Sequence, residues 1–206
     1  MMYSSYFYER NQTMNEMFAM IGQKTFKLTN LTNADILFRN FAGVEKQYNN
    51  AGDRNFCVRL DEQIANELAS MDIPVKILDP RDEDGEPLRF IKIKIKDFSK
   101  VYSANVGQRW PDDMSLAERK EKQKLSEASY YSLDDANIQT AWITVSIYRW
   151  EMGSGANKKS GTSLSLSEGF FKVEPNELEA QFFGIPDGES PMNTITFEQI
   201  QKKIED

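Results

Sequence analysis

Apolar and polar positions alternate with period two in two stretches of this chain, and these anchor the reading of the rest. Residues 90–98, FIKIKIKDF, place Ile91, Ile93 and Ile95 on one face of a strand and Phe90, Lys92, Lys94, Lys96 and Phe98 on the other. Residues 141–150, AWITVSIYRW, set Ala141, Ile143, Val145 and Ile147 against Trp142, Thr144, Ser146, Tyr148 and Trp150. Each strand therefore backs an aliphatic face with an aromatic or basic one.

Shorter apolar runs bounded by turn residues predict strands over 26–28, 34–41, 54–60, 75–78 and 162–173. Between the third and fourth lies a helix: Asp61 can cap it, and Ile64, Ala65, Leu68 and Met71 recur at helical spacing. Ser115 with Glu118 forms a capping box ahead of a highly charged helix inside an insertion at about 111–139. Residues 153–161 make a basic hairpin loop, 177–183 a short helix or turn, and 196–204 a helix with Phe197, Ile200 and Ile204 on one stripe. Residues 1–24, rich in Tyr, Asn, Gln and Met without a period, read as a loosely attached arm. Several short strands, one main helix and long loops predict a mainly β fold, a small antiparallel barrel.

Composition narrows the chemistry. The 206 residues include no histidine and one cysteine. Nucleophile systems that relay a proton through imidazole, and His-ligated zinc sites, are therefore excluded. A lone Cys57, inside an apolar strand, reads as an inert buried residue and permits no internal disulfide. The start of the chain lacks the basic flank and apolar run of a signal peptide, and no stretch is long and apolar enough to span a membrane, so a reducing cytoplasm is expected.

The net charge of −7 is unevenly placed. Residues 24–110 carry 14 basic and 13 acidic groups, and residues 140–173 carry 4 and 2, whereas residues 174–206 set 8 carboxylates against Lys202 and Lys203. The acidity belongs mainly to the C-terminal segment, so the body of the chain remains suited to a polyanion.

Single-stranded nucleic acid is held by a positive groove along its backbone and by aromatic side chains that stack on bases. The face Phe90/Lys92/Lys94/Lys96/Phe98, the row Trp142/Tyr148/Trp150 and the loop lysines Lys158 and Lys159 supply both parts. Against this stands a plainer reading, in which Trp142 and Phe98 are core residues and the lysine row protects a solvated edge strand. Two other function classes stay open. An adaptor or inhibitor would offer the same aromatic face to a protein. A Mg²⁺-dependent nuclease would use Asp79, Asp82, Glu83 and Glu86, although the first lysine downstream, Lys92, lies too far along for the usual acidic-x-Lys strand.

The segments ADILFRNFAGVEKQYNNAGDRNFCVRLDEQIANELA (34–69), VKILDPRDEDGEPLRFIKIKI (75–95) and ITVSIYRWEMGSGANKKSGTSLSLSEGFFKVEPNELEAQF (143–182) resemble a family of bacteriophage single-stranded DNA-binding proteins of OB-fold type. The chain departs from that pattern in its longer N-terminus and in the charged insertion. The resemblance implies an OB-like barrel over 25–185, sequence-tolerant binding of single-stranded DNA in phage replication or recombination, no catalysis and no cofactor. It also implies an acidic tail, 186–206, that contacts replication proteins or competes for the DNA groove. The motif positions it carries over are Arg39, Phe41, Arg54, Phe56, Tyr148, Trp150, Lys158 and Lys159. The partners expected are thus single-stranded DNA, replication or recombination proteins through the tail, and a second copy of the chain if it forms a homo-oligomer. The location expected is the host cytoplasm.

Overall fold

The computed structural model describes residues 17–80, 85–154 and 158–175. The two C-terminal helical stretches expected from the sequence lie outside those residues. Among the described residues nine strands form one sheet: β1 (Phe18–Met20), β2 (Thr25–Leu31), β3 (Ile36–Asn40), β4 (Asn55–Leu60), β5 (Lys76–Leu78), β6 (Leu88–Lys94), β7 (Lys100–Asn105), β8 (Ile138–Met152) and β9 (Lys159–Val173). Their order is β1-β2-β8-β9-β6-β4-β3, with β5 on β6 and β7 on β9. The pairings are antiparallel except that β6 and β7 run parallel to β9, so the mainly β barrel is built on a mixed sheet.

The sheet curls onto itself. Phe171 of β9 stands three strands from β3, a separation of roughly 14 Å in a flat sheet. Yet its ring meets that of Phe41, just after β3, edge-on at 5.4 Å, while Phe56 of β4 stacks on Phe41 at 5.1 Å. All three rings are fully buried. The gap between β3 and the approach to β8 is bridged by side chains. Asp134 accepts hydrogen bonds from the backbone N–H groups of Phe41 (2.6 Å) and Ala42 (3.1 Å), and Arg39 donates to the Ala136 carbonyl (2.6 Å).

The main helix, α1 (Glu62–Ser70), begins where the sequence places it: the Asp61 side chain accepts from the Ile64 N–H, and Ile64, Ala65 and Leu68 are buried against the barrel. The charged helix, α2 (Leu116–Gln123), has the full Ser115–Glu118 capping box and buries nothing of its own, which accounts for its scarcity of apolar residues. A 3-10 helix, Glu127–Leu133, follows and seats Tyr130 and Leu133 in the core.

Two strands escape the sequence reading. β1 lies within the region read as an arm, where Phe18 packs on Phe26 with ring centroids 5.7 Å apart. β7 lies ahead of the region read as an insertion, in a stretch for which no strand is expected, and pairs along β9 from Lys100 to Asn105. None of the described helices is long and apolar enough to cross a membrane.

Candidate nucleic-acid interface

The alternation of β6 holds: Ile91, Ile93 and Ile95 are buried, while Lys92 and Lys94 point outward. Strand pairing then sets their neighbours, since directly paired residues share a face. One row runs Lys76–Phe90–Arg59, the next Lys92–Cys57–Leu37, and the third joins Lys94 to Asn55. These rows carry four cations and no carboxylate. Burial pushes the Cys57 thiol up to about 11, against the pull of the nearby Lys92 and Lys76.

Above these rows stands Phe38. The β3–β4 register slips between Leu37 and Asn40, and Phe38 takes a left-handed φ of 49°. Strict alternation would send this side chain into the core with Ile36. The bulge turns it outward instead, 57% exposed, with its ring against Phe90. The loop between β3 and β4 is tied to the same face through Asn49, whose side-chain oxygen accepts from Lys92 Nζ and Asn55 Nδ2, both at 2.9 Å. That loop carries Tyr48, 84% exposed, and Lys46, also exposed.

The face continues across β9. Lys94 pairs with Ser165, which pairs with Ser146 of β8, and Ser163 pairs with the exposed Tyr148. Ser163, Ser165 and Ser167 alternate along β9 as a floor of short hydroxyl side chains, and Ser167 hydrogen-bonds Ser146 at 2.5 Å. Trp150 packs on its partner Gly161, where a Cβ would sit 2.6 Å from the indole, so any larger residue there would have to displace the ring.

The structure brings together Lys92, Lys94 and Tyr148, with Lys96 exposed just past the end of β6; Phe90 is buried beneath the Phe38 ring, and its expected stacking on DNA is corrected on that ground. It separates others. Phe41 and Phe56 are core residues with no accessible surface, and a base cannot stack on them; their expected DNA contact is corrected on that ground. Arg39 is spent on structure, donating to the carbonyls of Ile36 and Ala136 and to Asn33 Oδ1, and its partial burial lowers its pKa despite Asp134 and Asp135 nearby. Arg54 pairs with Glu127 at 2.9 Å and lies over the Tyr130 ring. Lys158 pairs with Glu151 at 2.9 Å, Lys159 opens β9 opposite Met152, and Trp142 stands further along β8.

Phe38, Tyr48, Arg59 and Lys76 were not singled out by sequence reasoning. Arg59 and Lys76 become legible once β4 and β5 are registered against β6; the bulge at Phe38 leaves no period to read. Of the carboxylates considered for metal binding, Asp82 and Glu83 lie outside the described residues. Among the described residues no three His, Cys, Asp or Glu side chains gather as a metal site.

No curated protein matches the sequence. Among solved structures, the single-stranded DNA-binding protein from bacteriophage Enc34 is similar at 10% identity and a TM-score of 0.45, over 87% of this chain and 92% of that one. Its complex with ssDNA gives 10% identity and 0.44, over 78% and 93%. The family model described as "Putative phage ssDNA-binding domain" matches residues 20–204, and the chain belongs to that family.

Proposed function

We propose that the chain binds single-stranded DNA without sequence preference, the strand crossing the outer face of β3, β4 and β6 and running over the serine floor of β9 toward Tyr148. The observation that carries this reading is the exposed Phe38 ring above paired rows of Lys76, Arg59, Lys92 and Lys94. Rings that stack on bases contribute about 1–3 kcal/mol each, and lysines that replace condensed counterions supply the salt-dependent remainder. Family membership supports the same ligand. The role is binding, without catalysis, within phage replication or recombination in the host cytoplasm. The acidic segment 186–206 serves as a recruiting tail for other proteins of that process.

Titration of the full chain with oligo-dT at two salt concentrations tests the binding. Saturable binding that weakens steeply with salt and quenches tryptophan emission is expected. Absence of retention at low salt would refute it. A chain ending before Pro186 should bind DNA as tightly as the full chain or more so, and a marked loss would refute the recruiting tail.

A further inference from the structure

A second aromatic surface lies further along β8, away from the rows of β3, β4 and β6. Pairing across β7, β9 and β8 sets Tyr102, Phe170 and Trp142 in one row. The Trp142 and Phe170 ring centroids are 5.7 Å apart, and Trp142 is 38% exposed. A row on one side runs Lys100–Glu168–Thr144–Lys27, and a row on the other runs Ala104–Lys172–Thr140. The helix α2 walls the cleft: Lys120 contacts Glu168 at 2.6 Å and holds its ammonium 5.0 Å from the centre of the Tyr102 ring. The space enclosed is about 390 Å³, a size common for small-ligand clefts.

The charge of this surface selects its occupant. Lys27, Lys100 and Lys172 lie on these rows and Lys120 on α2, and of the described residues that line the cleft only Glu168 is a carboxylate, already paired with Lys120. Lys27 and Lys100 are exposed. An aromatic stripe with cations on both sides matches a chain of flat bases joined by anionic phosphates better than it matches an apolar peptide. Trp142 also shares its face of β8 with Tyr148, six residues or roughly 20 Å away.

Resting on the reading above, we infer that this cleft is a second contact for the same DNA strand, with a base stacked on Trp142 and Phe170 and phosphates on Lys27 and Lys100. The charged insertion then acquires a use, because α2 forms one wall of the cleft although it adds nothing to the core.

The test isolates Trp142 as the fluorophore. In a Trp110→Phe, Trp150→Phe background, dT oligomers of about 16 nucleotides, the upper end of what one such fold covers, should quench the remaining emission in step with binding. Trp142→Leu in the unaltered chain should lower affinity roughly five- to a hundred-fold, with Trp142→Phe largely restoring it. Emission from Trp142 that stays constant at saturating DNA would overturn the inference, and that readout holds even if the leucine variant folds poorly. Failure of the unaltered chain to bind at all would refute the proposed function instead.

Discussion

Phe38 and Phe90 meet edge to face, centroids 5.5 Å apart and planes inclined at 60°, and only Phe38 opens to solvent. Phe90 is 7% exposed, so the ring that the alternation of β6 assigns to the outer face is roofed by one from β3. In the proposed interface Phe38 is therefore the ring open to a base, and Phe90 is its support.

Replacing Phe38 with alanine should weaken oligo-dT binding by about 1–3 kcal/mol, the usual worth of one base stacked on an aromatic ring. Phe38→Gly should lose as much affinity while recovering backbone strain, since glycine adopts a φ of 49° without the Cβ clash that a phenylalanine bears there. Paired titrations and thermal melts separate the two effects. Undiminished binding by both variants would move the strand off this face.

Salt dependence resolves the cations one at a time. Each phosphate contact removed from a single-stranded complex should flatten the slope of log K against log salt by about 0.7. Lys94→Gln and Arg59→Gln should each show about that change. Lys92→Gln should weaken binding further, because Lys92 Nζ also holds Asn49 and with it the loop that carries Tyr48. Slopes identical to that of the unaltered chain would mean that these side chains do not meet phosphate.

Local signals in the sequence reached far into this fold. The faces of β6 and β8, the Asp61 cap and the Ser115–Glu118 box depend on residues within a few positions of one another, and each stands where its pattern indicates. What remained hidden depends on distant partners. The strand β7 has too short and mixed a pattern to announce itself, and its ladder comes from β9, some seventy residues away. Phe41 and Phe56 sit in motifs that resemble a DNA-binding family, yet they form the stack that lets the sheet curl. Arg39 likewise shows a cation to the reader, while its hydrogen bonds go to carbonyls brought near only by the barrel.

That role of Arg39 predicts a stability effect in place of a binding effect. Arg39→Ala strands the Ala136 carbonyl, and Asp134→Ala strands the N–H groups of Phe41 and Ala42. Each should cost about 1–3 kcal/mol in urea unfolding. Below the unfolding transition, oligo-dT affinity should match that of the unaltered chain. A large affinity loss in a folded Arg39→Ala protein would return this residue to the interface.

The burial of Cys57 sets the sign of a pH dependence in the chain's stability. Burial raises its folded-state pKa from 9.0 to about 11, so the unfolded chain gives up the thiol proton first. The stability this group contributes is fully present below pH 9.0 and is lost as the pH climbs through about 11, because over that window the folded state binds more protons than the unfolded one. Lysines and tyrosines titrate nearby, and comparison with Cys57→Ala removes their share. Urea midpoints measured at about pH 8 and about pH 10.5 should fall further for the unaltered chain than for the variant. Below pH 9 the thiol should also react slowly with disulfide reagents, since it is both protonated and covered by Leu37 and Lys92 in its row. Equal falls in the two midpoints, or rapid labelling of the native protein, would show that water reaches Cys57 and that the rows of β3, β4 and β6 are more open than their packing indicates.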